Sequence, residues 1–220
     1  MQLSIVKIET GNLWYLQRKN YSRMATVFDD LLLRGVRRGE LPARTQQSRD
    51  WFRDQAKAST VRGDRGAMQI VRDKTRFTNR GALGRMYFFY YDPKHKATLP
   101  YYDRFPLIFK VGNVKGGFTG LNMHYLPHRL RAQLMDALYD ATNNKKYDET
   151  TRLRVTYQTL QAASKYKYFK PTFKQYLTSN VRSRFIEISA TEWDIALFLP
   201  VEAFEKSRKT TVWSQSRNAV

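Results

Sequence analysis

The chain of 220 residues carries 39 Lys+Arg against 19 Asp+Glu, a formal net charge of +20, and no cysteine. The absent cysteine excludes disulfide frameworks, zinc ribbons and thiol nucleophiles, and fits assembly in a reducing cytoplasm. With 42% hydrophobic residues, four Trp, 14 Tyr and 13 Phe, wholesale disorder is excluded and the length suits one domain or two small ones.

From the N-terminus, Met1–Glu9 places Lys7 and Glu9 in its apolar stretch, so it does not serve as a signal-peptide core. No apolar run approaches the ~18 residues of a membrane span, so no membrane is expected. Met24, Val27, Phe28 and Leu31 recur at helical spacing, with Gly35 and Gly39 as stops and Arg23, Arg34, Arg37 and Arg38 among the other residues. A second helix is predicted from Ser48 as N-cap, with Trp51, Phe52 and Ala56 inward and Arg49, Arg53 and Lys57 outward. From Thr60 to Arg85 periodicity is lost while glycines alternate with Arg62, Arg65, Arg72, Lys74, Arg76, Arg80 and Arg85, which reads as an arm or long loop that wraps a partner.

The character changes at Met86. Met86–Tyr91 is a run of strand formers closed by Asp92-Pro93, Pro106–Val111 is a second strand, and Gly116-Gly117 turns the chain into a third, Phe118–Tyr125. These make a small antiparallel sheet. Leu130, Leu134, Met135 and Leu138 then form the apolar face of a helix ending at Asn143-Asn144-Lys145-Lys146. Thr151 is a candidate cap for a helix burying Leu153, Tyr157 and Leu160, and another is predicted near Pro171, burying Phe173, Tyr176, Leu177 and Val181. Phe185, Ile186 and Ile188 suggest a strand returning to the sheet, and Thr191-Glu192-Trp193-Asp194 opens a last helix that Leu199-Pro200 closes. The expected fold class is therefore α+β, with residues 1–85 as basic helices and arm, 86–205 as the compact body and 206–220 as a basic tail.

Charge follows that division. Residues 1–85 hold 18 basic and 8 acidic side chains, 86–150 hold 9 and 6, and 151–220 hold 12 and 5, giving +10, +3 and +7. A surplus of this kind points to a polyanionic partner such as nucleic acid, against the plainer readings of a solubilising surface or attraction to anionic lipid. Within the last third, Lys165-Tyr166-Lys167-Tyr168-Phe169-Lys170, continued by Phe173, Lys174 and Tyr176, interleaves phosphate-neutralising lysines with rings that stack on bases. The same alternation also describes a half-buried strand, so the rings divide evenly between binding and core. Arg182 and Arg184 extend the basic strip on a similar alternation.

Catalytic readings find little support. His124 and His128 are four apart, but Pro127 breaks the helical register a zinc pair needs, and His95 sits in a polar turn. Asp92 and Asp103 lack the third carboxylate expected of a magnesium nuclease site. Gly116–Gly120 lacks the Gly-Lys-Ser/Thr of a phosphate-binding loop, and no Gly-x-Ser-x-Gly elbow occurs. No enzyme activity, cofactor, metal or small-molecule substrate is expected.

Three blocks together, Gly84–Lys94, Leu99–Leu107 and Gly117–Pro127, resemble the DNA end protector group of T4-like tailed bacteriophages, as do Trp51-Phe52-Arg53-Asp54, Trp193–Pro200 and Val212-Trp213. The resemblance spans roughly residues 48–217 and leaves the first 47 without a counterpart. It implies a virion protein, made in the host cytoplasm, that sits on the ends of packaged double-stranded phage DNA at the head-tail junction and blocks exonucleases. A rival reading is a structural neck, tail or baseplate component, in which Tyr101, Tyr102, Arg104, Trp51 and Trp213 serve as interface anchors to other virion proteins.

Overall fold

The structure is a computed structural model that describes residues 26–40, 45–143 and 146–218; Met1–Glu9, Arg23, Met24, Asn144 and Lys145 lie outside the described residues. Helix α1 (Val27–Arg37) starts at Thr26, whose hydroxyl accepts from the Asp29 N–H while the Asp29 carboxylate accepts from the Thr26 N–H. It buries Phe28, Leu31 and Leu32. Gly35, expected as a stop, lies inside the helix because a Cβ there would stand 2.3 Å from the Phe52 ring, and the chain turns instead at Gly39, with φ +82°.

Helix α2 (Gln46–Lys57) is capped by Thr45 rather than Ser48; Ser48 is buried and donates to Glu40 at 2.5 Å. Arg49 and Arg53, expected outward, are buried. Arg53 pairs with Asp194 at 2.7 Å and Asp136 at 2.9 Å, and Arg49 pairs with Asp136 at 3.1 Å. The expected arm is also folded: Gly63–Val71 forms α3, burying Ala67, Ile70 and Val71, and a 3-10 turn (Lys74–Arg76) leads to the two-residue strand β1 (Phe77–Thr78). Gly66 is buried in α3, where a Cβ would meet the Val61 side chain at 2.7 Å, so the glycine serves close packing rather than looseness.

Strands β2 (Met86–Phe88), β3 (Tyr102–Asp103), β4 (Leu107–Val114) and β5 (Gly117–Asn122) follow; the third expected strand stops at Asn122, whose side-chain oxygen accepts from the His124 N–H and starts a 3-10 turn over Met123–Tyr125. Helices α4 (His128–Asn143) and α5 (Glu149–Lys165) come next, α5 capped by Asp148 accepting from the Thr151 N–H rather than by Thr151 itself. No α-helix starts at Pro171. Lys167–Thr172 is a 3-10 helix, and Phe173–Leu177 is strand β6, because its backbone pairs along the whole of β5. Strand β7 (Phe185–Ile188) does return to the sheet, between β1 and β2.

The cap before α6 (Trp193–Phe198) is Ser189 with Glu192, one short turn earlier than expected, and α6 is followed by β8 (Phe204–Glu205), paired to β3, and by α7 (Lys209–Asn218). The fold is α+β, with a six-stranded antiparallel sheet in the order β1-β7-β2-β4-β5-β6. Period-two alternation sends Met86, Phe88, Phe109, Leu121 and Ile188 into one core with Phe28, Phe52, Ile70, Leu138 and Leu197. The opposite face carries a smaller aromatic cluster of Tyr87, Phe89, Tyr91, Phe118 and Tyr176 around Ile108. Among the described residues no helix is long and apolar enough to cross a membrane. Strand β6 thus forms one edge of the sheet, and the lysine–tyrosine strip leads directly into it.

Candidate nucleic-acid interface

The strip begins where α5 ends. Tyr166 leaves helical geometry at ψ 134° and becomes the cap of the Lys167–Thr172 helix. In a 3-10 helix residues three apart eclipse, so Lys167 and Lys170 share a face. Phe169 packs against the main core and Thr172 is buried, which anchors the turn. Tyr166 and Tyr168 are 66% and 61% exposed, and Phe173 is 44% exposed. The rings of Tyr166 and Tyr168 are therefore surface, and the half-buried-strand reading of this segment does not hold. Lys165, Lys167 and Lys170 are exposed as well.

Lys174, on the inward side of β6, sits with its ammonium 4.2 Å from the Tyr125 ring centroid, and burial pushes its pKa down. Beside it Tyr176 is buried, and burial with nearby Tyr125 and Asp103 pushes its phenol well above the ordinary value. Helix α7 packs across the Met123–Tyr125 and Lys167–Thr172 turns. A pocket of about 250 Å³ opens there between Tyr101, Tyr125, Lys170, Lys174, Gln215 and Ser216, with Pro171 at its edge.

The other expected binding residues lie elsewhere. Arg62, Arg65, Arg72 and Lys74 are exposed before, on and after α3. Arg76 is committed internally: its guanidinium makes two bonds to Glu192 at 2.6 and 2.8 Å and one to Asp73 at 2.9 Å, above the Phe28 ring. Arg182 stands 3.8 Å from Asp92, and Arg184 lies over the Phe77 ring of β1. β1 and β6 are opposite edges, so the Arg72–Arg76 group and the lysine strip are separated by five strand spacings, about 24 Å.

The expected interface residues are half-buried. Trp51 packs edge-on against Phe52, Trp213 donates its indole N–H to the His124 carbonyl at 2.8 Å, and Arg104 pairs with Asp64 and Glu205. Tyr101 lines the pocket, and Tyr102 belongs to β3.

Of the histidines and aspartates weighed for catalysis, His124, Asp103 and Asp92 have structural partners. His124 Nδ1 lies 2.8 Å from Asp103, which also accepts from Asn122 at 3.0 Å, and Asp92 accepts from Lys96 at 2.9 Å. Among the described residues no group of three His, Cys, Asp or Glu side chains converges for a metal. Sequence reasoning missed Tyr125, Gln215 and Ser216. Tyr125 lay in an expected strand and the other two in an expected tail, and nothing local to either segment signals that they meet.

A family model described as phage T4 terminal DNA protecting protein matches residues 3–217. The match begins far ahead of residue 48, so the leading segment expected to have no counterpart shares the family pattern. Neither the curated proteins nor the solved structures give a match.

Proposed function

This chain belongs to the family of phage T4 terminal DNA protecting proteins, and from that premise we propose that Lys165, Lys167, Lys170 and Lys174, with Tyr166 and Tyr168, form the surface that covers a DNA end. The family's role makes it a bacteriophage protein that binds and protects DNA ends. The observation that supports this location is the pair of tyrosine rings held in solvent, 66% and 61% exposed, between lysines. Exposed rings cost hydration without a partner, whereas a terminal base pair offers a flat apolar face for each to stack on. The lysines neutralise the flanking phosphates, and the exposed cations at and beyond the two ends of α3, Arg62, Arg65, Arg72 and Lys74, with Arg184 over the Phe77 ring, contact duplex further from the end. Protection follows from occupancy, with no bond made or broken, and the protein acts in the virion near the head-tail junction, beside neck or tail proteins.

The test is a salt series with linear duplex competed by closed circles. Linear duplex is expected to win, and replacing Lys165, Lys167 and Lys170 together by Ala lowers the slope of log K against log salt by about 2.7, at ~0.9 per phosphate contact. Circles that compete as well as linear fragments would refute end recognition. An unchanged slope would move the interface away from this strip.

A further inference from the structure

The pocket of about 250 Å³ is smaller than the ~300–1,000 Å³ of sites for drug-sized ligands. It is too small for a base pair and suits one nucleotide. Its walls come from separated parts of the chain: Tyr101 just before β3, Tyr125 after β5, Lys170 in the 3-10 helix, Lys174 on β6, and Gln215 and Ser216 on α7. No carboxylate lines it, and burial alone acts on the Lys174 ammonium, so two lysine charges face the space uncompensated. Tyr101 and Tyr125 stand 6.0 Å apart at 37°, giving the pocket an aromatic wall.

We infer that this pocket takes the 5′-phosphorylated terminal nucleotide of a duplex end, unpaired from its partner, its phosphate between Lys170 and Lys174 and its base against Tyr101 and Tyr125, so that the next base pair is the one that meets Tyr166 and Tyr168. The inference rests on the reading of the adjoining strip as the end-covering surface. An internal phosphodiester carries one negative charge, but a terminal phosphomonoester carries about 1.5 to 2 near neutral pH, so two uncompensated ammonium groups select the terminus over any internal position. Gln215, which is exposed, supplies a neutral hydrogen-bonding group for the remaining phosphate oxygens or the base edge. A nucleotide held there is withdrawn from an exonuclease that must engage the same terminus.

The experiment measures binding of blunt duplexes bearing 5′-phosphate or 5′-hydroxyl ends, with closed circular duplex and 2′-deoxyadenosine 5′-monophosphate as competitors. Wild type, Lys174→Gln and Gln215→Glu are compared; Gln215 is exposed, so the added carboxylate repels phosphate without disturbing the core. Wild type is expected to prefer phosphorylated ends about tenfold, as charge-assisted bonds allow. Both variants lose that preference, and Gln215→Glu, which lies outside the end-covering strip, still favours linear duplex over circles. Equal affinity for both end types, with the linear preference intact, overturns the pocket assignment and leaves the end reading standing. Loss of the linear preference in wild type removes both. Displacement by the mononucleotide at concentrations no higher than those of phosphorylated ends makes this a free-nucleotide site and overturns the terminal assignment.

Discussion

Three arginines of the leading segment and the lysines of the strip carry the same kind of charge and are used in opposite ways. Arg49 and Arg53 are buried and Arg76 nearly so, each bonded to carboxylates on distant elements, whereas Lys165, Lys167 and Lys170 project into solvent beside exposed tyrosines. Counting charges along the chain made residues 1–85 the most basic part of the protein, yet Arg49, Arg53 and Arg76 of that surplus are turned inward. The difference follows from the side chains themselves. A guanidinium is a rigid planar fork that can bond two carboxylates at once, so it braces helices, as Arg53 does between Asp136 on α4 and Asp194 on α6. An ammonium on a flexible stem is better left hydrated until a phosphate replaces the water. Net charge alone therefore says little about where DNA binds; uncompensated charge says more.

The sharpest break in this comparison is Arg53→Met. Both partners of the Arg53–Asp194 pair are buried, with side chains 4% and 7% exposed. Removing the guanidinium leaves Asp194 uncompensated, and we expect a loss of about 3–5 kcal/mol in urea unfolding. The folded fraction keeps its affinity for DNA ends. A variant that loses end binding at full stability would instead put Arg53 in the interface.

On the other side of the comparison, Tyr166→Ala and Tyr168→Ala are expected to weaken end binding by about 1–3 kcal/mol each while leaving the unfolding midpoint nearly unchanged. These residues are 66% and 61% exposed, so their truncation opens no buried cavity. A fall in stability comparable to that of a core aromatic, about 3–5 kcal/mol, would show that they are structural after all.

The same contrast explains which parts of the fold could be read in advance. Strands β2, β4 and β7 and helix α4 announced themselves, because the strands are runs of strand formers set off by turn residues such as Asp92-Pro93 and Gly116, and the helix repeats its apolar face with one period. Phe173, Tyr176 and Leu177 have helical spacing by coincidence; the hydrogen bonds β5 offers along that segment decide for strand. Arg49 and Arg53 read as solvent-facing because their partners Asp136 and Asp194 are 87 and 141 residues away. Asp194 was visible in the sequence, but only the packing of α2 on α6 makes it a partner. The basic character of residues 165–174 was legible from composition. The pocket was not, since its walls are brought together only by α7 folding back across two 3-10 turns.

Acid acts unequally on the two kinds of cation. Burial pushes Glu202 upward, but Arg131 at 2.7 Å, with His128 and Lys209, more than reverses this and holds its carboxyl well below the ordinary value. A depressed carboxylate contributes its full stability above its unfolded value of about 4.5 and loses it as pH falls through that value toward the folded one. The acid limb of the stability curve is therefore expected to steepen below that point and to flatten in Glu202→Gln. A limb unchanged by the substitution would assign the acid sensitivity to other carboxylates.

The smallest effect tests where the two uses of charge meet. Lys174 resembles the arginines in being drawn inward and the strip lysines in having no carboxylate, so burial depresses its pKa without compensation. The sign is the reverse of the glutamate case: the unfolded chain holds this proton more tightly, so the charged side chain opposes folding at neutral pH, and stability recovers as pH rises through the depressed value. Lys174→Met keeps the apolar stem against Tyr125 and removes the charge. It is expected to raise the melting temperature by about 1–3 °C while weakening binding to phosphorylated ends. Such a gain, paired with a loss of binding, is what a cation held for an absent phosphate produces. A cation kept for its contact with the Tyr125 ring would instead leave the variant less stable.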